Sequence, residues 1–299
     1  MVNPVAISIG TIRGRYSTML QKASPVGMAE LSGDGDMAPF DRVRWLFRNA
    51  GRNLLGAFPS LPTERSGVGS EAACEARSWR GSPSRLVSDM VLRRELAAVF
   101  AGRSVSILDV GCGSGGARRH FADAGLSGTY LGVDIDDRFD REGVWPSLES
   151  QFVESDAHMA DLPQADLVFS FSALEHIPED RQLIERLRGV LQPRGIQMHV
   201  VPAGWALVAY LWHGYRHYHC GAIRARFDME RTRVIAIGGV GSLLLHTLYI
   251  AIPEMLLRVN LRSRMPGFYG LLVVLALKVD RVLPFWPTNY VVIERADEA

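Results

Sequence analysis

Four glycines follow an aspartate near the middle of this 299-residue chain, in a pattern that could bind a nucleotide. Residues 105–110 form a short apolar run rich in β-branched side chains, which is typical of a buried parallel strand. Glycine backbone turns sharply and lets a ligand approach where a Cβ would collide. The helix predicted over 117–124 would direct the free N–H groups of its first turn at that ligand. The aspartate is Asp109, and the glycines are Gly111, Gly113, Gly115 and Gly116.

The glycines alone leave the ligand open. The spacing of Gly111, Gly113 and Gly116 also satisfies the dinucleotide fingerprint, so it fits NAD as well as another adenosyl ligand. Asp109 favours the second class, because a carboxylate at the mouth of the loop would repel a pyrophosphate and attract a cationic amine and a sulfonium. From Asp109 to Gly115 the stretch resembles the first motif of class I S-adenosylmethionine (SAM)-dependent methyltransferases, in which glycines alternate after an acid.

The resemblance implies SAM as the cofactor and a transfer of its methyl group as the reaction. An NAD-dependent oxidoreductase remains the alternative that the glycine spacing permits. In the methyltransferase reading, the methionine end of the cofactor and the loop around it involve Asp109, Gly111, Cys112, Gly113 and Gly115.

Two later strands also end on aspartates. Asp134 closes an apolar strand about 20 residues beyond the glycine loop, where an acid would hydrogen-bond the hydroxyls of a ribose; the other interpretation is an exposed loop acid. Asp156 ends a third short strand, and the resemblance assigns Asp156 and Ala157 to the adenine and Ile135 to the same cofactor site. Ser170 would follow at the carboxyl end of the fourth strand, where open parallel sheets bind their ligands.

The segment after the fourth strand indicates which branch of these methyltransferases the chain resembles. Residues 173–179 resemble the corresponding motif of the small-molecule branch, the type 11 and type 12 methyltransferases. The Asn/Asp-Pro-Pro-Tyr arrangement that holds a planar amino nitrogen is absent, which argues against an adenine or glutamine N-methyltransferase. Strands alternating with helices predict an α/β fold, a Rossmann-like doubly wound sheet, for which the family implies seven strands.

The pattern along the chain predicts a domain over 82–299 with its core at 104–202 and its last strand at 289–295. Residues 1–81, rich in Gly, Ser and Pro, are expected to be a poorly ordered extension. It contains an amphipathic basic segment near 40–58, which would pack on the domain or lie on a membrane surface.

A hydrophobic, helical insertion is predicted over about 203–283. Within it, residues 234–252 carry no formal charge and are long enough to span a membrane, although a buried or membrane-apposed helix is favoured. Arginines crowd both ends of this stretch, so it gives little signal for orientation. The sixth strand of the family has no assigned place in this pattern.

Three histidines are candidates for the base of an O-methylation, because imidazole titrates near neutrality: His176, His199 and His213. His213 and His217 are spaced i, i+4, but no carboxylate completes a metal site, so no metal is predicted. The segment after the fifth strand is rich in aromatic residues, which would form a lid over a sugar or aromatic ring or pack as ordinary core. These residues are Trp205, Tyr210, Trp212, Tyr215 and Tyr218.

Composition limits the partners. A net charge of +1 gives no general attraction to nucleic acid, and none is expected as a partner. Three widely spaced cysteines without a Cys-x-x-Cys pair indicate reduced thiols in a cytoplasmic protein, with peripheral membrane contact left open. The predicted function is methyl transfer to a small-molecule, glycan or lipid acceptor. The non-enzymatic alternative is an inactive, membrane-associated binding protein, and the sequence indicates no oligomeric state.

Overall fold

The computed structural model describes residues 39–56, 61–67, 69–209 and 214–296. Its centre is a sheet of eight strands in the order β1-β7-β8-β6-β5-β2-β3-β4. The strands are β1 (Glu64–Arg65), β2 (Ser104–Val110), β3 (Ser127–Asp134), β4 (Leu148–Glu154), β5 (Ala165–Phe171), β6 (Leu191–Pro202), β7 (Thr232–Ile237) and β8 (Asn289–Arg295).

The strands from β2 to β6 pair in parallel, whereas β8 runs antiparallel between β6 and β7. In the register of β2 with β3, Ser104 lies opposite Ser127 and Val110 opposite Val133. The carboxyl ends of β2, β3, β4 and β5 therefore meet at one edge of the sheet, which we call the upper edge.

Ten α-helices surround the sheet in the described part of the chain. They are α1 (Pro39–Gly56), α2 (Gly69–Ala76), α3 (Pro83–Phe100), α4 (Arg118–Asp123), α5 (Asp180–Gly189), α6 (Cys220–Arg224), α7 (Val240–Leu245), α8 (Ile252–Leu256), α9 (Leu261–Arg264) and α10 (Pro266–Val282). Two 3₁₀ turns, Leu174–His176 and Gly204–Val208, follow β5 and β6, and a π-helical turn, His246–Ala251, joins α7 to α8. Helix α3 starts at a capping serine, Ser82, whose side chain accepts a hydrogen bond from Arg85 N.

Both faces of the sheet are covered, so the predicted Rossmann-like, doubly wound α/β fold is confirmed. On one face, α3 and the strands bury a core that includes Leu86, Phe100 and Phe169. On the other face, α5 buries Leu183 and Ile184 against the sheet. In the central strands β2 and β5, buried residues face one core or the other, which explains why these strands are apolar runs without alternation.

The described part of the predicted N-terminal extension contributes regular elements to this domain. Strand β1 pairs in parallel with β7, which adds an eighth strand to the seven expected. Helix α1 occupies most of the predicted amphipathic segment 40–58, and its Trp45 ring nitrogen donates to Gly214 O at 3.1 Å. Asn53 Nδ2 donates to Gly204 O at 2.9 Å, so tertiary contacts hold α1 against the domain. Residues 1–38 lie outside the described part.

The apolar stretch 234–252 does not form one helix. Its first four residues belong to β7, which is the sixth strand that the sequence left unplaced, and helix begins only at Val240. The β-branched residues before Gly238 pair with β8, and Gly238 then takes a φ of +78° that stops the strand. Within the ranges given above, none of the helices has the length and apolar character needed to cross a bilayer.

Helices α7 and α10 approach each other at a glycine, which generates a stability prediction. A Cβ built on Gly241 would lie 2.3 Å from Ala276 O, so Gly241→Ala should force the helices apart and cost about 1–3 kcal/mol of unfolding free energy. Gly267→Ala, in the first turn of α10 with no atom within 4 Å of its Cβ position, should be neutral or stabilise by up to about 1 kcal/mol. Urea unfolding of both variants measures the difference. Equal stabilities would contradict the close approach.

Candidate functional site

The glycine loop is tied to the end of the neighbouring strand. Gly111 N and Cys112 N both donate to Val133 O, at 2.8 and 3.2 Å, and Gly115 N donates to Cys112 O. Gly111, Gly113 and Gly115 have φ values of +69°, +55° and +80°, a region that L side chains rarely adopt. The loop is thus a turn that glycine adopts without strain and other residues would not, and its position at the upper edge follows from the register of β2 with β3.

The three glycines serve different purposes. A Cβ on Gly111 would lie 2.4 Å from the Cβ of Ala173, and one on Gly115 would lie 2.7 Å from the Phe152 ring. These two glycines permit close packing within the protein. A Cβ on Gly113 would meet no atom within 4 Å. Gly113 therefore faces open space, which is where a ligand could approach the main chain.

Asp109 lies at the end of β2 and is 1% exposed. Its carboxylate accepts a hydrogen bond from the Tyr130 hydroxyl at 2.7 Å. Burial raises the pKa of Asp109 to about 7; the Tyr130 hydrogen bond opposes this effect, and the negative charge of Asp134 adds to it. A cation brought to this side chain would favour its ionised form. Tyr130 was not identified from the sequence, because its position beside Asp109 depends on the pairing of β2 with β3.

Asp134 ends β3 and holds the glycine loop directly. One carboxylate oxygen accepts from Gly113 N at 2.7 Å, and the other accepts from Asp136 N at 3.1 Å. Arg138 reaches the second oxygen at 3.7 Å. Each carboxylate oxygen can accept a further hydrogen bond, so Asp134 could also bind the hydroxyls of a ribose.

The end of β4 lies beside the end of β3. Ser155 N donates to Asp134 O at 2.8 Å, and Asp156 accepts a hydrogen bond from His158 N through its side chain at 2.8 Å. Ala157 is buried against the second core. Two apolar side chains remain uncovered next to these acids, Ile135 at 69% and Met159 at 74% exposed, and both could pack on a flat base. Met159 was not found from the sequence, because its relation to Ile135 depends on the pairing of β3 with β4.

These observations fit SAM. Carboxylates end three adjacent strands, Gly113 leaves the space that a Cβ would fill, and apolar side chains lie uncovered beside Asp134 and Asp156. The Cys112 thiol lies against Gly132, where an added Cβ would be 2.8 Å from the sulfur, so a ligand at the loop would meet the backbone of Cys112 and not its thiol. Burial and the charges of Asp109 and Asp134 raise the pKa of that thiol, which keeps it neutral.

Ser170 and His199 belong to a buried polar chain inside the domain. Ser170 Oγ lies 2.8 Å from His199 Nδ1, and His199 Nε2 lies 3.0 Å from Gln197 Oε1. Gln197 donates to Glu294, which in turn accepts from Arg188. Burial lowers the pKa of His199 to about 3. His199 is therefore a neutral, fully enclosed ring whose contacts are internal, and the Ser170 hydroxyl is used within the same chain.

Of the other candidate bases, His176 lies at the upper edge. It ends the 3₁₀ turn after β5 and is half-buried. The turn begins next to Ala173, the residue that packs on Gly111. His213 lies outside the described residues, as do Tyr210 and Trp212 of the aromatic run. Within the described ranges, no cluster of three His, Cys, Asp or Glu side chains is arranged to hold a metal ion.

The remaining aromatic residues of that run are used differently. The Tyr218 ring is buried and its hydroxyl donates to Asp180 at 2.7 Å, which is a core position. Trp205 is partly exposed, with its ring centroid 5.7 Å from that of Trp286. Core packing thus accounts for Tyr218, whereas Trp205 lies at the surface beside α1.

A charged cluster on α3 and α4 faces the end of β5. Buried Asp89 lies 3.6 Å from His120 Nε2 and accepts from Arg85 at 3.1 Å. The guanidinium of Arg85 lies 3.6 Å above the Phe171 ring, and His120 stacks on the same ring. Burial, together with nearby arginines, lowers the pKa of His120 to about 3, so the ring is neutral. Sequence analysis missed this cluster, because only the packing of α3 on α4 brings its members together.

The buried carboxylate at the end of β2 predicts a pH-dependent stability. Because burial raises the pKa of Asp109 in the folded state, the protonated side chain makes its full contribution to the unfolding free energy at pH values below the ordinary carboxyl pKa. That contribution is lost as the pH rises through about 7. The unfolding free energy of the ligand-free protein should fall relative to that of Asp109→Asn by up to about 4 kcal/mol between pH 4 and pH 8. Asp123→Asn, at an exposed carboxylate in α4, should follow the wild type. Thermal unfolding at several pH values tests this, and parallel curves for wild type and Asp109→Asn would refute it.

Comparison with known proteins agrees with this geometry. Residues 108–198 match a family model described as a methyltransferase domain. A comparison with curated proteins gave no match.

Solved structures with a similar fold include a protein from Galdieria sulphuraria described as a sarcosine dimethylglycine methyltransferase. It has a TM-score of 0.48 and 18% identity over 71% of this chain and 86% of the other. A SAM-dependent methyltransferase from Archaeoglobus fulgidus has a TM-score of 0.45 and 20% identity, covering 74% and 97% of the two chains. Coclaurine N-methyltransferase, solved with N-methylheliamine and SAH, has a TM-score of 0.45 and 12% identity, covering 89% and 97%.

The family match covers β3, β4 and β5, the glycine loop and most of β6, which are the elements that bring the three strand-end carboxylates together. Residues 108–198 are therefore similar to a methyltransferase domain.

Proposed function

We propose that the protein transfers the methyl group of SAM to a small-molecule, sugar-linked or lipid-linked acceptor. The observation that carries this proposal is the meeting of Asp109, Asp134 and Asp156 at the upper edge around a glycine, Gly113, that faces open space. Bound SAM supplies an electrophilic methyl group on a sulfonium. The negative side chains favour that positive charge, and they disfavour the pyrophosphate of NAD.

Each candidate residue at the upper edge has a distinct role in the proposed function. Asp109 faces the methionine end, and the N–H groups and open face of the loop at Gly113 receive the nucleoside. Asp134 accepts from the ribose hydroxyls while it holds Gly113 N. Asp156 accepts from the adenine amino group, with Ile135 and Ala157 beside the ring. Much of the rate acceleration then comes from holding the acceptor in line with the methyl group.

Removal of a proton from the acceptor requires a base at the upper edge. His176 is the proposed base among the described histidines, because it lies on the turn that packs on the glycine loop. The free thiols of Cys74, Cys112 and Cys220 are those of a reducing compartment, which supports a cytoplasmic location. Membrane contact is not part of the proposal.

Asp134→Ala should weaken binding of S-adenosylhomocysteine by at least about tenfold, since it removes ribose acceptors and the acceptor of Gly113 N. Asp136→Ala is the matched control, an exposed acid two residues away, and should change the affinity less than about twofold. Isothermal titration calorimetry measures both. An unchanged affinity for Asp134→Ala would overturn the role assigned to Asp134.

Gly113→Ala should weaken the same ligand, because a methyl group would occupy the space that the loop leaves open and would add strain at a φ of +55°. Gly102→Ala carries the same kind of strain, at φ +72° with no atom within 4 Å, in the turn before β2 at the lower edge. Both variants should lose about 1–2 kcal/mol of stability from the left-handed backbone. Only Gly113→Ala should also lose affinity, and equal calorimetric affinities for the two variants would contradict the assignment.

Activity itself is tested with methyl-labelled SAM and a cell extract separated into soluble and membrane fractions. The proposal expects label on a small acceptor with wild-type protein and none with Asp134→Ala. Titration with NADH separates the oxidoreductase alternative, and binding of S-adenosylhomocysteine without any methyl transfer would favour the inactive binding protein.

A further inference from the structure

A cavity lined largely by arginines lies near the turn that follows β5. It has a volume of about 250 Å³ and lies between α1, the start of α5 and the segments around Tyr215 and Arg226. We call it the arginine pocket. Its lining includes Glu179 and Asp180 together with six arginines: Arg44, Arg48, Arg52, Arg181, Arg216 and Arg226.

Two of these arginines form ion pairs with the buried carboxylate of Asp180 and neutralise its charge. Arg216 pairs with Asp180 at 2.9 Å and donates to Ile177 O and Pro178 O, at 2.6 Å each. Arg226 pairs with Asp180 through Nε and Nη2, at 2.6 and 2.9 Å, and the Tyr218 hydroxyl donates to the same carboxylate. Asp180 is therefore fully engaged and has little capacity left to neutralise the other arginines of the pocket.

The three arginines of α1 are in a different situation. Arg44, Arg48 and Arg52 recur every four residues, so they line one face of the helix, and like charges at this spacing repel. Within the described residues, no carboxylate forms an ion pair with any of them. Burial lowers the pKa of Arg52, and repulsion from Arg48, Arg216 and Arg226 adds to the effect. The three side chains are exposed, and a bound anion would relieve the repulsion among them.

The wall of the pocket is attached to the turn that reaches the cofactor loop. Tyr215 N donates to Glu175 O at 2.7 Å, within the 3₁₀ turn after β5. That turn starts beside Ala173, which packs on Gly111. Trp45 of α1 lines the pocket and donates to Gly214 O. The wall of the pocket and the glycine loop therefore both contact one short turn.

We propose that the arginine pocket binds a phosphate group carried by the methyl acceptor; that this ligand is the acceptor rests on the proposed function. Guanidinium groups match phosphate oxygens bidentately, and the excess of positive over negative side chains suits a doubly charged phosphomonoester better than a single carboxylate. The same chemistry is found in soluble phosphoesters and in the headgroup of phosphatidic acid.

The test uses the full chain and defined probes. Calorimetry with glycerol 3-phosphate should give saturable binding to wild type, and Arg48→Gln/Arg52→Gln should weaken it at least tenfold. Arg42→Gln, on the same helix outside the pocket lining, is the matched control and should stay within about twofold. Arg48→Lys keeps the charge but loses the planar fork, and an intermediate affinity is expected. It also replaces the double variant if that one does not fold, as judged by circular dichroism.

Vesicles distinguish the two sources of phosphate. Cosedimentation with phosphatidylcholine vesicles containing phosphatidic acid, with retention lost in the double variant but not in Arg42→Gln, would assign a lipid headgroup. Binding of glycerol 3-phosphate without vesicle retention would assign a soluble phosphoester. The pocket assignment is overturned if wild type binds neither probe, or if Arg42→Gln loses binding as much as the double variant does.

The experiments distinguish a wrong pocket assignment from a wrong proposed function. The double variant should retain the wild-type affinity for S-adenosylhomocysteine, because none of its changes touches the glycine loop. If phosphate binds but no extract fraction accepts a labelled methyl group, the pocket stands and the methyl-transfer function falls. If methyl transfer proceeds to an acceptor without phosphate and glycerol 3-phosphate does not bind, the function stands and the pocket assignment falls.

Discussion

The structure depends on the attachment of the glycine loop to the end of β3. Val133 O accepts two loop N–H groups, and the Asp134 carboxylate accepts a third from Gly113. Without these hydrogen bonds, a loop with three glycines at positive φ would adopt several backbone conformations. With them, the loop is fixed relative to two strands at once. The position of the cleft is therefore set by strand pairing and not by the loop sequence alone.

That attachment places unlike carboxylates in one small region. Asp134 accepts two hydrogen bonds from backbone N–H groups, whereas Asp109 is enclosed and, among the described residues, accepts one side-chain hydrogen bond, from Tyr130. An enclosed carboxylate with one hydrogen bond is poorly stabilised when charged, which is why burial dominates the pKa of Asp109. Such a group is most stable as an anion when a cation sits beside it. The folded protein therefore favours the binding of a cationic ligand beside Asp109.

Much of the fold could be predicted from the sequence because the decisive signals are local. The apolar run before Asp109, the glycines after it, and the last strand at Asn289–Arg295 each identify themselves within a few residues. The sixth strand could not be found, since β7 and the following helix α7 share one apolar stretch and only pairing with β8 separates them. Strand β1, with two charged residues, has no apolar pattern to detect.

The candidate site shows the same division between local and tertiary information. The strand-end aspartates were identified because their spacing is a property of the chain. Tyr130, Met159 and the cluster of Asp89 with His120 could not be, because each depends on which strands or helices lie side by side. A candidate base that turns out to be enclosed, His199, also has a tertiary explanation. His199 looks available in the sequence, but the pairing of β5 with β6 encloses it between Ser170 and Gln197.

In the proposed enzyme, the upper edge and the arginine pocket would sort the two ligands by charge. Carboxylates lie at the upper edge, and arginines line the pocket, whose wall contacts the turn at Leu174–His176. A sulfonium is repelled from the arginines, and a phosphate is repelled from the carboxylates, so each ligand is penalised at the wrong site as well as favoured at the right one. The turn between them carries His176 and is anchored on both sides, by Ala173 against Gly111 and by Glu175 O accepting from Tyr215 N. Because that turn is short and held at both ends, the backbone would fix the distance between a donor at the upper edge and an acceptor in the arginine pocket. Such fixed separation is what transfer between two oppositely charged ligands requires.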